Sequence, residues 1–208
     1  MDFPDFFAEV PAMTLRDPLA VFLGVSASGR MTYSYGDAVK LAGHSCPTVA
    51  GAYLMVRRGL EVLYGDEIPE RGGIEVYMRD PRDQGTTGVI AAVATLITGA
   101  APETGFGGIG AHGRFTRRDL LHFGVPLNGL MALRRCDNGQ GVVLDLDAAR
   151  VPFAPEMQPL FSRVVAEQAD QDEQARFGAL WQDRVARMLT GHADDPDLVR
   201  VSEWKAAA

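Results

Sequence analysis

Five consecutive residues, Gly43-His44-Ser45-Cys46-Pro47, hold the densest grouping of reactive side chains in the sequence. His44 and Cys46 stand two positions apart, so an imidazole nitrogen and a sulfur share one small patch. Proline is preorganised for the first position of a helix, where its missing N–H costs nothing, and the spacing predicts a helix starting at Pro47. Unpaired N–H groups and the positive dipole end at such a start favour a thiolate at Cys46. Thiolate and neutral imidazole are what zinc takes from proteins, but a closed zinc site uses four ligands and two do not make one. A buried structural cysteine beside a loop histidine accounts for the same residues without a metal.

Other groups are weaker. His112, in the glycine-rich stretch from Thr98 to Gly113, is the candidate third ligand; an exposed loop histidine is the competing reading. Gly105-Phe-Gly-Gly-Ile-Gly110 matches the dinucleotide fingerprint as a string, but it follows an expected helix rather than a strand, and no acidic residue follows at about 20 positions in a fitting strand. Its glycines establish backbone freedom, which suits a loop wrapping close to a site or partner. Arg114, Arg117 and Arg118 beside this loop, and Arg134 and Arg135 before Cys136, read either as an anion contact or as a solvated face. Cys136 reads as structural or weakly exposed, and His122 and His192 have no nearby partner in sequence. No Ser–His–Asp order, Walker loop or carboxylate pair stands above background; Asp80 and Asp83 lie in the polar loop after the run Ile74 to Met78.

Elements must position these groups. Leu19 to Val25 is a short apolar run closed by Ser26-Ala-Ser-Gly29 and reads as a buried strand. Met31 to Tyr35 extends as strand, and Tyr35 to Leu41 has helical spacing that ends at Gly43. From Thr48 to Tyr64, Val49, Tyr53, Val56, Leu60 and Leu63 share one helix face, and Gly65 stops it. Ile74 to Met78 alternates as a half-buried strand; Thr86 or Thr87 caps a second helix through Thr98. Thr116-Arg-Arg-Asp119 has the capping-box pattern and predicts a short helix over Leu120–Phe123. Asn138-Gly139 between Leu130–Cys136 and Val142–Leu146 is a strong hairpin signal. Composition changes after Pro152, where Leu160 to Val165 and Phe177 to Leu189 form two expected helices. The order favours an α+β fold, a small mixed or antiparallel sheet packed with helices. It divides into a domain over residues 1–152 and a C-terminal helical extension over 153–208 packed on the same domain.

Ala42-Gly-His-Ser-Cys-Pro47, with Gly51 four positions on and then an apolar helix, resembles the hallmark of the formylmethanofuran dehydrogenase E-subunit family, which looks like His-Gly-His-x-Cys-Pro-Gly before a helix. The strand Ile74–Met78, the polar loop after it and the helix ending Leu96-Ile-Thr-Gly99 agree with that family, over roughly residues 35 to 145. The resemblance implies an α+β fold and metal binding, commonly zinc, through His44 and Cys46. The sequence departs from the pattern at several places. The leading His falls on Ala42 and the Gly after the Pro on Thr48. The loop–helix cysteine has no match near Gly88–Val89, and the cysteine after Thr-Gly falls on Ala100. The family's C-terminal zinc ribbon is absent. The leading expectation is therefore a zinc-binding protein of this type. The alternative is a non-catalytic interaction or small-molecule-binding module that has lost most ligands.

Composition bounds the partners. The chain has 208 residues, with 20 Lys and Arg against 27 Asp and Glu, a formal charge of −7. An acidic balance argues against nucleic acid or an anionic membrane as the main partner. An apolar share of 47% and a charged share of 23% are those of a globular protein. Met1 to Asp5 shows no basic region before an apolar stretch, and the longest apolar run, Gly88 to Ala101, is short of the roughly 20 residues a bilayer span needs. With two distant cysteines, this reads as a cytoplasmic protein in a reducing compartment. The stripe Phe177, Leu180, Trp181, Val185 and Met188 is longer than a small sheet obviously covers, which predicts a homodimer.

Overall fold

The structure, a computed structural model, describes residues 3–205. Among these residues, seven strands in two sheets and six α-helices form an α+β fold. β1 (Met13–Arg16) and β2 (Arg30–Tyr33) pair antiparallel, with α1 (Pro18–Phe22) between them in sequence. After α2 (Tyr35–Ala42), which Gly43 ends in the left-handed conformation, comes the long helix α3 (Pro47–Tyr64). β3 (Ile74–Met78), α4 (Thr87–Thr98), β4 (Leu121–His122), β5 (Met131–Arg135) and β6 (Gly141–Leu146) follow. Then come α5 (Met157–Val165), α6 (Gln171–Ala186), a π-helical turn at Arg187–Gly191 and β7 (Val199–Trp204). The larger sheet runs β4-β3-β5-β6-β7, antiparallel except for the β3–β4 pair.

The core is built on α3. Every residue from Val49 to Val56 is buried, so this half of the helix is apolar and covered all round rather than along the single stripe its spacing predicts. It lies against β5, β6 and β7 on one side and against α2, α4 and α6 on the others. Glycine makes the sheet contact possible: a Cβ on Gly51 would stand 2.2 Å from Leu146 Cδ2. Tyr53 Oη donates to the Pro11 and Tyr33 carbonyls at 2.8 and 3.0 Å, which ties the small sheet to the helix. The other face of the large sheet carries aromatic side chains. There Tyr77 stacks on His122 and meets Trp204 edge-on, both at 4.7 Å between centroids. Ala132, opposite Tyr77, and Val143, opposite Ser202, are buried.

Three expectations are corrected. The apolar run Leu19–Val25 is not a buried strand. Asp17 caps a short helix through Leu19 N (2.9 Å) and Ala20 N (3.3 Å), Pro18 occupies its first position, and Phe22, Leu23 and Val25 are exposed. The capping box at Thr116–Asp119 does not form: Thr116 Oγ1 donates to the Phe106 carbonyl, Asp119 has φ +59°, and strand β4 follows instead of a helix. The C-terminal segment is also not purely helical, since β7 joins the large sheet beside β6. The stripe that predicts a homodimer is covered within the chain. Val185 and Met188 are fully buried in the core, and Phe153 and Phe177 lie against Trp181 at 5.3 and 5.5 Å. Among the described residues no helix is long and apolar enough to cross a membrane.

Candidate functional site

The turn before α3 forms as its proline predicts, and most of its polar atoms serve the fold. Cys46 is the N-cap of α3: its sulfur accepts the Val49 N–H at 3.5 Å and packs into the core. The Ser45 carbonyl accepts from both Trp181 Nε1 and Gln182 Nε2 at 3.1 Å, so α6 docks on this turn. Ser45 Oγ meets Tyr35 Oη at 2.9 Å, and burial holds the Tyr35 phenol well above its ordinary value. His44 is exposed, with Nδ1 2.9 Å from the Ala42 carbonyl. A carbonyl only accepts, so Nδ1 carries the proton and the neutral ring keeps Nε2 free.

His44 and Cys46 line no common cavity. His44 borders a groove of about 210 Å³ formed with Leu41 and Ala42 of α2 and Gly88, Val89, Ala92 and Val93 of α4. Across the groove stand Gly88 and Val89, neither of which carries a metal-ligating side chain. His112 stays at the exposed tip of a tight turn closed by Ile109 and Arg114, which exchange backbone hydrogen bonds at 2.8 and 3.0 Å. Among the described residues no three His, Cys, Asp or Glu side chains gather within reach of one ion. The donor set falls short both of the four ligands of a structural zinc site and of the three of a catalytic one.

A cleft lies beside this turn. It encloses about 310 Å³ between Pro47 and Thr48 in the first turn of α3, the end of β3 at Met78–Asp80, and the first turn of α4. Thr48, Thr86 and Thr87 bring hydroxyls; Ile90, Leu130 and Leu146 supply an apolar floor. Thr86, at the N-cap of α4, makes no side-chain cap bond, and the Thr48 N–H has no acceptor among the described residues. Asp80 stands at the rim in a two-pronged pair with Arg79, both bonds 3.0 Å, and this hydrogen bonding holds its carboxyl below the usual range. The sequence pattern places Asp80 in the loop after β3 but does not reveal the cleft, because its walls come from five separated segments. A larger trough, about 690 Å³, runs beside β7 and the β5–β6 turn. It is lined by consecutive residues of an edge strand and ends at Lys205, the last residue described.

The basic residues divide. Arg117, read from sequence as solvated or anion-binding, is 7% exposed and donates to Asp17 Oδ1 at 2.7 Å. Arg71 holds the other oxygen of Asp17 at 3.0 Å. Desolvation pulls the Arg117 guanidinium below its ordinary pKa, with Asp17 opposing. Its guanidinium lies where a side chain on Gly72 (φ +86°) would be, so only glycine fits there. Arg134 and Arg135 are paired with Glu75 and with Glu67 and Asp137. His192 Nδ1 meets Asp195 at 2.9 Å. No protein-family model matches this chain, and no curated protein matches it either.

Proposed function

We propose that this chain is a small-molecule-binding module resembling the formylmethanofuran dehydrogenase E-subunit family, taking a small organic anion in the cleft between the first turns of α3 and α4. The observation that carries this reading is the convergence of two helix starts, three threonine hydroxyls and one ionised carboxylate on a partly apolar cleft. Helix N-termini attract anionic groups through free N–H donors and the dipole. Asp80, held ionised, accepts from a hydroxyl or amine, so a hydroxy- or amino-acid has the matching chemistry. Ile90 and Leu146 leave room for a short apolar part. The two free cysteines, one in the core and one on the surface, support a reducing, cytoplasmic setting.

The metal reading has one observation in its favour: the hydrogen bond at His44 Nδ1 leaves Nε2 free, the arrangement found when a histidine ligates a metal. One preparation separates the two. Thermal unfolding is followed with inorganic phosphate, lactate or serine at about 1–10 mM, because a ligand of the native state raises Tm by mass action. At least one probe raises Tm, and Thr48→Glu, which places a carboxylate in the cleft, abolishes the rise. If no probe does so, or if Thr48→Glu leaves the rise intact, the cleft reading fails. Stoichiometric zinc by elemental analysis, lost in both His44→Ala and Cys46→Ala, puts the metal site in its place.

A further inference from the structure

β7 is an edge of the large sheet, and the ladders behind it fix which of its backbone groups point outward. In an antiparallel pair, opposed residues alternate between those that exchange backbone hydrogen bonds and those that exchange none. Asp147 N donates to the Leu198 carbonyl at 2.9 Å, so along the β6–β7 register the bonded pairs are Asp145–Arg200, Val143–Ser202 and Gly141–Trp204. The β5–β6 ladder has the same phase. Arg135 N donates to the Gln140 carbonyl at 2.8 Å, so Val142 and Leu144 turn their backbone groups toward β5 and away from β7. Val201 and Glu203, opposite Leu144 and Val142, therefore aim both N–H and C=O outward. Val199 aims its carbonyl outward, while its N–H is held by the Asp195 carbonyl at 3.2 Å. Among the described residues no backbone or side-chain group meets these outward groups.

Proteins guard such edges with very short strands, proline, bulges or charge. β4, at the opposite edge, has two residues; β7 has six, in unbroken register and without proline or glycine. Its charges are spent within the chain, Arg200 on Asp145 and Asp147 and Glu203 on Lys205. Beside it runs the trough of about 690 Å³, lined by Val142, Val201 and Val62, the last 54% exposed. We propose that a second copy of this chain covers this edge, β7 pairing antiparallel with β7 about a two-fold axis that sets Ser202 opposite Ser202. The outward groups select this register. Val201 and Glu203 of each copy exchange bonds with Glu203 and Val201 of the other, and the Val199 carbonyl accepts from the Lys205 N–H, so every free group meets its complement. Centring on Val201 instead sets the Glu203 carbonyl against the Val199 N–H, already given to Asp195. Centring on Arg200 sets it against the Asp197 N–H, already given to Asp195 Oδ1. The side chains of β7 suit its own copy. On the aromatic face Arg200 falls opposite Trp204, a cation beside an indole; on the helix face Val201 falls opposite Glu203, and no like charges oppose each other. The contact is isologous, closes at two copies and joins the two five-stranded sheets into one.

Sedimentation velocity and amide hydrogen exchange of the full chain test this. With increasing concentration the average mass rises from the 22.5 kDa of one chain toward twice that value and no further. Over the same range the Val201 and Glu203 amides become protected, while those of Arg200 and Ser202, bonded to β6, are protected throughout. Val201→Pro removes an outward N–H that β6 does not use, a position where an edge strand accepts proline, so the variant unfolds cooperatively and stays a monomer. In a chain that also carries Cys136→Ser, Ser202→Cys forms an interchain disulfide with oxidised glutathione, because residue 202 faces itself across the axis. Arg200→Cys, opposite Trp204 of the second copy, does not. A parent chain that stays at 22.5 kDa at every concentration leaves the edge to a strand of another protein and overturns the proposal. So does a dimer in which the Val201 and Glu203 amides exchange freely, a folded Val201→Pro that still dimerises, or equal linking by the two cysteine variants. If Val201→Pro does not fold, the exchange pattern of the parent and the two cysteine variants decide.

Discussion

Replacing Asp17 by asparagine removes one negative charge from a buried cluster that holds two positive ones. Asp17 is 3% exposed and its carboxylate accepts four bonds: Leu19 N at 2.9 Å, Ala20 N at 3.3 Å, Arg117 Nη2 at 2.7 Å and Arg71 Nη1 at 3.0 Å. Asparagine keeps one acceptor for the helix cap but turns a donor toward one of the guanidiniums. Breaking a buried pair from one side costs about 3–5 kcal/mol, because a charge is left without its partner. For a chain of this size that is a Tm fall of roughly 6–20 °C, at about 2–4 °C per kcal/mol. Arg117→Met costs less, since Arg71 and Asp17 then remain as a matched pair, and the double variant loses less than the sum of the two. Arg82→Ala is the control. It breaks the Arg82–Glu103 pair, whose side chains are both 60% exposed, and costs about 1 kcal/mol or less. Calorimetry gives all four values. If Asp17→Asn falls no further than Arg82→Ala, or if Arg117→Met falls further than Asp17→Asn, unpaired charge does not govern the stability of this cluster.

Gly51→Ala pushes a methyl toward Leu146, 2.2 Å away, which overpacks the contact by about 1–3 kcal/mol and moves a wall of the cleft; the ligand-induced rise in Tm shrinks with it, and an unchanged rise would separate the cleft from α3 packing. Stability against pH, read by urea unfolding, has a plateau with two limbs. Hydrogen bonds from arginines hold Asp80, Glu103 and Asp137 below their ordinary values, so their contribution is present above about pH 4 and is lost as pH falls through the lower folded values. Burial pushes the Tyr64 and Tyr77 phenols up to about 12 and the Cys136 thiol up to about 11, with Glu75 adding to the shift at Tyr77 and Cys136. The neutral forms are favoured in the fold, so stability is full below the unfolded values and falls from about pH 9 upward. A profile flat from about pH 9 to 12 would contradict this. By the same shift Cys136, though exposed, alkylates slowly at neutral pH and speeds up toward pH 11; labelling at the rate of a free thiol at neutral pH would show the shift is absent.

What could be read in the sequence was set by local chemistry. Cys46-Pro47 and Gly65 bracket α3, Ile74–Met78 alternates because only one side faces the core, and Asn138-Gly139 makes the β5–β6 turn through Gly139 at φ +73°. These signals lie within a few residues of the structure they produce. The errors have non-local causes. Asp17-Pro18 is a helix start, but the apolar run after it outweighs that signal, and nothing within the run tells that Phe22 and Leu23 face solvent. Arg117 reads as a surface residue because Asp17 lies 100 positions away. Thr116–Asp119 has capping chemistry, yet the loop bonds to Phe106 and Ala101 instead. β7 shows its alternation in Val199 and Val201 against Arg200 and Ser202, but a single short strand after an acidic turn is faint until β6 lies beside it.

The fate of the His-x-Cys-Pro turn follows from counting its free atoms. Cys46 Sγ accepts from Val49, the Ser45 carbonyl accepts from two side chains of α6, and Ser45 Oγ is taken by Tyr35. Each of these bonds fixes the start of α3 against the rest of the core, and none is available to a ligand. His44 Nε2 and the Thr48 N–H take no part in these bonds, and the two residues border different hollows: His44 the groove between α2 and α4, Thr48 the cleft beside β3. A turn whose sulfur and carbonyl hold the fold thus fixes where α3 begins, and with it Pro47 and Thr48, which border the cleft beside β3.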